Sequence, residues 1–413
     1  MDKIKQKIKE KILKKSKKAK KKYKLLEKKN IEKDTIIERV KNPIKLRNPG
    51  VDLCRILDMF AIVTNHILGS SGFKKKFNQY NILKIIYASL NWHNCGFIFI
   101  SGYIGYKTTK YSNLIYLWFW TFFYYIGIDI YFIKFKPHTY KESIKFLDFF
   151  PVLTYQYWYF TCYFGTYLFL PVINKGLEII TKSQLKITII SFILFYVILK
   201  DYINPTNDIF RESNGNSVLW FLIFYITGAY FGIFKKENEN ISGTKKFIYC
   251  IIYILIFYFS TYLSVKSPYY EINSYNPNFM DKIKLFIKLL FVVRNSSVVQ
   301  ISQSISIILF FTSIKYNKYI GKIIIFIGPL TFAVYLIHCH PIIFKNIFIK
   351  HFKNNYSSNL SLNTVLKIII LKATQTFVIC IIIDYFRNIL FKVCQIRKIS
   401  ILIEKLILKL FVN

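Results

Sequence analysis

Apolar residues in this chain come in long blocks that are separated by short polar stretches. The runs 189–199, 247–263 and 323–337 contain no charged residue. Such blocks recur too often for one soluble core and are typical of helices that cross a membrane. The pattern therefore predicts an all-α fold class, a polytopic membrane helical bundle of about ten transmembrane helices. The predicted spans lie near 50–69, 83–106, 113–133, 156–174, 185–203, 217–234, 246–265, 298–314, 321–344 and 365–391.

Polar segments at both ends divide the chain into three parts. Residues 1–46 form a basic amphipathic extension, 47–394 form the membrane domain, and 395–413 form a basic amphipathic C-terminal tail. Two interpretations of the first segment stay open, a cytoplasmic helix on anionic lipid and a solvated lysine-rich tail. The stretch 283–293 is either a further span or, as its basic residues favour, an interfacial helix.

The formal net charge of the chain is +38, and residues 1–46, with 19 basic and 6 acidic residues, hold +13 of it. Basic residues elsewhere are scattered through short loops, which argues against nucleic acid as a partner. By the positive-inside rule we expect a multi-pass protein of the plasma membrane with both termini in the cytoplasm. The seven cysteines include no Cys-x-x-Cys pair. We interpret them as core residues and predict neither a disulfide nor a metal site.

Arg55 and His66 stand out because they are charged or titratable residues inside the first apolar block. They are eleven residues apart, so a helix places them on nearly the same face, about 16 Å apart along its axis. Each has a structural alternative, an interfacial anchor for Arg55 and a hydrogen-bonded core histidine for His66. Together on one face of a membrane helix they favour a functional interpretation, because such residues are costly there.

Three segments resemble one protein family in order and spacing. They are 52–66, which holds the arginine and the histidine, 97–103 (FIFISGY) and 330–338 (LTFAVYLIH). They are similar to the signature of the acyltransferase-3 family, integral-membrane O-acyltransferases that modify surface glycans. The resemblance covers roughly residues 47–392. Two mild departures are Cys54, where the family often has leucine, and Ile98, which splits a phenylalanine pair.

The resemblance implies an acyltransferase for groups other than amino-acyl groups. The expected donor is an acyl-coenzyme A, most often acetyl-coenzyme A, and no cofactor is expected to be bound permanently. The expected acceptor is a hydroxyl of a cell-surface or lipid-linked carbohydrate.

The candidate site residues fit this chemistry. A sugar hydroxyl is a poor nucleophile that needs a base, and His66 is the candidate. Arg55 is a candidate for holding a phosphate of coenzyme A, because its planar fork suits phosphate. Ser101 and Tyr103 are candidate donors to the tetrahedral oxyanion. His338 is a further catalytic candidate.

His338, Tyr335 and His93 are further site candidates, Tyr335 and His93 as substrate- or cofactor-binding residues, and two of the three have an alternative interpretation. His338 is either a second polar member of the site, which could orient His66, or a structural link between helices. Tyr335 lies three residues before it and shares its helical face. His93 lies close to the face of Ser101 and is interpreted as either a contact to the acceptor or an interfacial hydrogen-bonding residue.

Two acidic–basic pairs at three-residue spacing are predicted. Asp58 follows Arg55 and could neutralise it, and Asp384 precedes Arg387 as a structural pair. The segment 338–340 (HCH) invites a metal interpretation, but residues two apart on a helix point to different faces, and we predict no metal there.

Two other functions compete with the enzyme. A transporter for an anionic solute could use Arg55, His66 and His338 as pathway residues, but it would leave its solute chemically unchanged. A membrane scaffold recruited by its basic tail would depend on residues 1–46 and not on His66.

Overall fold

The computed structural model is helical throughout its described part, in which no strand occurs. It describes residues 47–70, 81–107, 109–136, 146–154, 156–200, 215–234, 243–266, 297–349 and 360–412, with 280 and 283. The predicted all-α class is therefore confirmed. The helices are α1 (Pro49–Ser70), α2 (Asn81–Leu90), α3 (His93–Gly105), α4 (Tyr111–Phe135), α5 (Trp158–Ile179), α6 (Lys182–Ile193), α7 (Val218–Ile233), α8 (Gly243–Lys266), α9 (Val298–Ser313), α10 (Lys318–Ile327), α11 (Thr331–His338), α12 (Leu362–Val393) and α13 (Ile396–Val412).

Within the described residues each predicted span falls mainly on helix, but the number of spans stays a prediction. By length and composition, five stretches of the described chain can cross a membrane. Helices α7 and α9 are apolar but shorter. The five stretches are Tyr111–Phe135, Lys182–Leu199, Gly243–Leu263, Lys318–His338 and Leu362–Val393.

The predicted span 83–106 is wrong as a single helix, because the chain turns at Asn91 and starts α3 anew. Broken helices inside a membrane protein need other partners for the freed backbone groups. Helix α9 supplies them from buried side chains. Gln300 Nε2 donates to the Asn91 carbonyl over 2.9 Å, and Gln303 Nε2 donates to the Ala88 carbonyl over 3.0 Å. The break is therefore stabilised by tertiary hydrogen bonds from α9.

Helix α1 lies at the centre of the described bundle. It packs against α2, α3, α9, α10, α11 and α12. Its side chains Cys54, Val63 and Ile67 have no solvent exposure. Polar groups on its inward faces therefore meet protein and not lipid, which is the setting in which membrane helices tolerate them.

Helices α3 and α7 approach each other at backbone distance. A Cβ atom on Gly102 would lie 1.9 Å from the carbonyl oxygen of Tyr225, and one on Gly228 would lie 2.1 Å from that of Phe99. Only glycine permits this approach, which is how small residues bring membrane helices together. This contact fixes the position of α3 and therefore determines which face of α3 packs against α1.

A buried ion pair ties α12 to α4. Arg387 donates to Asp384 through Nε and Nη2 over 2.8 and 2.7 Å. Trp120 Nε1 and the Tyr124 hydroxyl also donate to this carboxylate, and the guanidinium carbon lies 3.8 Å from the centre of the Trp120 ring. The predicted pairing of Asp384 with Arg387 is confirmed, and its structural role stays a prediction.

The outer helices expose the apolar side chains that a membrane protein turns to lipid. Only 11% of the most apolar window of Gly243–Leu263 is buried. Helix α13 packs against α4 and exposes Leu402, Leu406 and Leu410, as an amphipathic surface helix should. The predicted helix in residues 1–46 lies outside the described residues, as does 283–293 except for residue 283.

Candidate active site

His66 and His338 meet at the ends of their helices. His66 Nδ1 lies 3.0 Å from His338 Nε2, and the two ring centres are 5.2 Å apart. His338 is the last residue of α11, which follows α10 and the 3-10 turn Gly328–Leu330. The sequence elements that contain these two histidines are 272 residues apart, and the fold joins them in one hydrogen bond.

The hydrogen-bond partners decide which nitrogen of each ring carries the proton. His338 Nδ1 contacts the Val334 carbonyl oxygen, which can only accept, so this nitrogen carries hydrogen. In the neutral ring His338 Nε2 then has the lone pair and accepts from His66 Nδ1. It follows that His66 keeps its lone pair on Nε2, the nitrogen that faces away from His338. A carbonyl and a second imidazole thus fix His66 in the tautomer of a base.

The two histidines differ in exposure. The side chain of His338 is 1% exposed, whereas His66 is partly accessible. The Phe344 ring meets the His66 ring edge to face, with 5.3 Å between centres. His66 is therefore the member of the pair that a substrate can reach, and His338 lies behind it.

Arg55 pairs with an acidic residue one turn before it. Its Nη1 donates to Asp52 over 2.8 Å, and Asp52 is fully buried. The prediction that Asp58 neutralises Arg55 is wrong, because Asp58 lies on the face that α1 turns to α3. Asp52 lies in the first turn of α1, where the helix dipole favours a carboxylate. The Arg55 side chain remains 23% exposed.

Neighbouring residues show that α3 runs antiparallel to α1. His93 lies close enough to His66 for their charges to interact. Asp58, eight residues before His66, lies against Gly96, where a Cβ atom would be 2.4 Å from its carboxyl oxygen. Positions that come later along α3 therefore match positions that come earlier along α1. The structure thus brings His93 to the His66 end, as a buried residue.

Ser101 of α3 lies near Arg55, at the end of the candidate site opposite His66. Tyr163 of α5 lies next to Ser101 and within the electrostatic reach of Arg55. The Ser101 hydroxyl donates to the Phe97 carbonyl over 2.9 Å. Ser101 is two turns from His93, about 12 Å along α3. The geometry therefore does not place Ser101 as an oxyanion donor beside His66.

Tyr103 and Tyr335 are buried and contact other parts of the bundle. Tyr103 stacks on Phe99, with 6.4 Å between ring centres, on the side of α3 that packs against α7. The Tyr335 hydroxyl accepts from the backbone N–H of Tyr159 over 3.3 Å. Tyr335 thus positions the start of α5, and in the described contacts neither tyrosine joins His66.

A third side chain comes close to the histidine pair. Cys339 Sγ lies 3.3 Å from His338 Nε2 and 3.7 Å from His66 Nδ1. Within the described residues these three form a group that could hold a metal ion, their ligand atoms all within 4.8 Å of one another. A hydrogen bond explains the nitrogen–nitrogen distance without an ion. The prediction of no metal stays a prediction.

His340 does not join this group. Its Nε2 lies 3.2 Å from the Tyr125 carbonyl and 3.5 Å from a carboxylate oxygen of Asp129. The expectation that His338 and His340 point to different faces is therefore confirmed. Sequence reasoning missed Cys339 and Asp52 as neighbours of the two key residues. For Asp52 the signal was present, since residues three before and three after Arg55 are equivalent on a helix.

One of the comparisons with known proteins identifies a family. A family model described as an acyltransferase domain matches residues 48–385. The match begins next to α1 and ends inside α12, so it includes both histidines, Arg55 and Asp52. No curated protein and no solved structure matches the chain.

Proposed function

The chain belongs to the acyltransferase-3 family, and from this premise we propose that it is a membrane O-acyltransferase that moves an acetyl group from acetyl-coenzyme A to a hydroxyl of a cell-surface or lipid-linked carbohydrate. Family membership and the apolar helices make it a membrane acyltransferase. The choice of donor and acceptor, and the plasma membrane as its location, are parts of the proposal.

The observation that carries the proposal is the oriented histidine pair. The Val334 carbonyl orients His338, and His338 Nε2 orients His66. A base for a sugar hydroxyl needs a lone pair that faces the substrate and a fixed ring. His66 Nε2 keeps its lone pair on the partly accessible ring, and His338 holds that ring in place.

In the proposed reaction the acceptor hydroxyl gives its proton to His66 Nε2 while its oxygen attacks the thioester carbonyl carbon. The new carbon–oxygen bond forms a tetrahedral intermediate, and the carbon–sulfur bond then breaks. The leaving thiolate takes the proton back from the His66 imidazolium, which restores the neutral ring. Departure of the thiolate needs little acid assistance, because thiols have a pKa of about 8.5. His338 Nε2 stabilises the transient positive charge by accepting from His66 Nδ1.

Arg55 is proposed to bind the phosphate end of the donor. It is about 16 Å from His66 along α1, and one of its five N–H donors is taken by Asp52 among the described residues. Guanidinium groups bind phosphates through paired charge-assisted hydrogen bonds. Ser101 and Tyr163 also lie near Arg55, and we propose that the donor enters the site at this end.

Acetyl transfer is the direct test. Membranes that contain the protein are incubated with acetyl-coenzyme A labelled in the acetyl group and with glycan from the native host. The proposal expects an alkali-labile ester on the glycan and an equal amount of released coenzyme A thiol. Uptake of an unchanged solute without ester formation would contradict it.

A further inference from the structure

Asp58 is a buried carboxyl group without a hydrogen-bond partner in the described structure. Its side chain is 0% exposed. The backbone N–H of Phe97 lies close to it, yet neither oxygen makes a hydrogen bond to a described residue. Buried polar groups in folded proteins nearly always have partners, and an exception points to a ligand or water.

Space for this carboxyl group is provided by α3. Gly96 faces it, and a Cβ atom there would lie 2.4 Å from Oδ2 and 2.6 Å from Oδ1. Tyr159 of α5 is close enough to interact with Asp58 electrostatically. Its buried hydroxyl lies beside the backbone N–H of Ile98 but makes no hydrogen bond of regular geometry to a described residue. Two buried polar groups, one from α1 and one from α5, therefore lie near the same stretch of α3.

The position of Asp58 along α1 relates it to both ends of the candidate site. It comes three residues after Arg55 and eight before His66, which is about 4.5 Å and about 12 Å along the axis. The donor arm of an acyl-coenzyme A carries a hydroxyl group near its pyrophosphate and two amide N–H groups farther along, towards the thioester. A donor with its phosphate at Arg55 and its thioester at His66 would therefore bring its hydroxyl to the level of Asp58.

We propose that Asp58 and Tyr159 form a subsite for the pantetheine arm of the donor, in which Asp58 accepts a hydrogen bond from the hydroxyl group of that arm. This inference rests on the proposed function, since it takes the donor to be an acyl-coenzyme A. Two acceptor oxygens beside a phenol suit a ligand that supplies hydrogen-bond donors. The subsite lies between the charged end of the donor and the reaction centre, so it would set the depth to which the thioester enters.

The test compares two donors. Acetyl-coenzyme A contains the arm hydroxyl, whereas the acetyl thioester of N-acetylcysteamine ends before it. Asp58→Ala should lower kcat/KM for acetyl-coenzyme A about two- to tenfold, mostly through KM, as expected for a lost hydrogen bond. The same substitution should leave kcat/KM for the truncated donor within about twofold. Asp58→Asn, which keeps an acceptor oxygen, should recover most of the loss.

Other outcomes separate the alternatives. Equal losses with both donors would mean that Asp58 only supports α3, and a change confined to KM for the carbohydrate would place the acceptor there. Either result would overturn the subsite while leaving the acyltransferase intact. If wild-type protein transfers from neither donor, the proposed function fails first, and the subsite with it.

A second variant covers the case in which Asp58→Ala does not fold. Tyr159→Phe removes only the hydroxyl group. It should lower kcat/KM for acetyl-coenzyme A about two- to tenfold, the range for a neutral hydrogen bond, and spare the truncated donor. A loss that is the same for both donors would again overturn the proposal.

Discussion

Replacing His338 by alanine tests whether the two histidines work as one unit. The substitution removes the acceptor that holds His66 Nδ1–H at 3.0 Å. His66 can then rotate, or move its proton to Nε2, and in that tautomer it cannot accept a proton from the substrate. Binding of the donor phosphate should be unaffected, because Arg55 lies about three turns away along α1.

The expected loss follows from the one hydrogen bond that is removed. Leaving a buried donor unpaired costs about 1–3 kcal/mol, which corresponds to a fall in kcat of about five- to 150-fold. Removing the base itself, in His66→Ala, should cost about 10²- to 10⁴-fold. Because His338 acts only through His66, the double variant should be no slower than His66→Ala alone.

Initial rates of labelled acetyl transfer measure these losses. Wild type and variants are compared in detergent at equal amounts of monodisperse protein, so that losses of folded protein do not count as losses of rate. His338→Gln, whose side-chain oxygen can accept from His66, should recover part of the rate. Losses that multiply in the double variant would refute the reasoning, since they would show that His338 acts independently of His66.

Three further predictions concern the donor end, the structural ion pair and the metal-like group. Arg55→Ala should raise KM for acetyl-coenzyme A about tenfold or more but not KM for a donor without phosphates; equal effects on both would contradict phosphate binding. Asp384→Asn, which leaves Arg387 charged and buried, should cost about 3–5 kcal/mol of stability, measured as a lower Tm in detergent. The exposed residue Glu178 offers the control Glu178→Gln, which should cost less than about 1 kcal/mol, and equal shifts would contradict a structural role. Cys339→Ala and treatment with a chelator should both leave most of the transfer activity; loss of activity to the chelator alone would show that a metal is required.

Local helical spacing was sufficient to predict the alignment of Arg55 and His66. Both lie on α1, and their relation depends only on the geometry of one helix. The same spacing predicted that Asp384 and Arg387 pair, and the structure confirms it. It failed for Asp58, because helical spacing allows a partner three residues before or after Arg55 equally well. Packing against α3 decides between them, and a single sequence does not contain that packing.

The break at Asn91 shows a second limit of sequence reasoning. An apolar run predicted one span, whereas the structure has two helices. The groups that stabilise the break are Gln300 and Gln303, 209 and 215 residues away from the carbonyls they cap. Tertiary hydrogen bonds of this kind override local hydropathy. Likewise, only the folded structure shows that His66 and His338 are in contact, although each residue was predicted as a candidate from its own segment of the sequence.

The measurement that tests the central claim most directly is single-turnover transfer from labelled acetyl-coenzyme A to the carbohydrate acceptor by purified wild-type protein and by His66→Ala. Both proteins are used at matched folded amounts and with saturating donor. We expect ester formation by the wild type and a loss of at least about 10²-fold in the variant. Equal rates would contradict the role of His66 as the base.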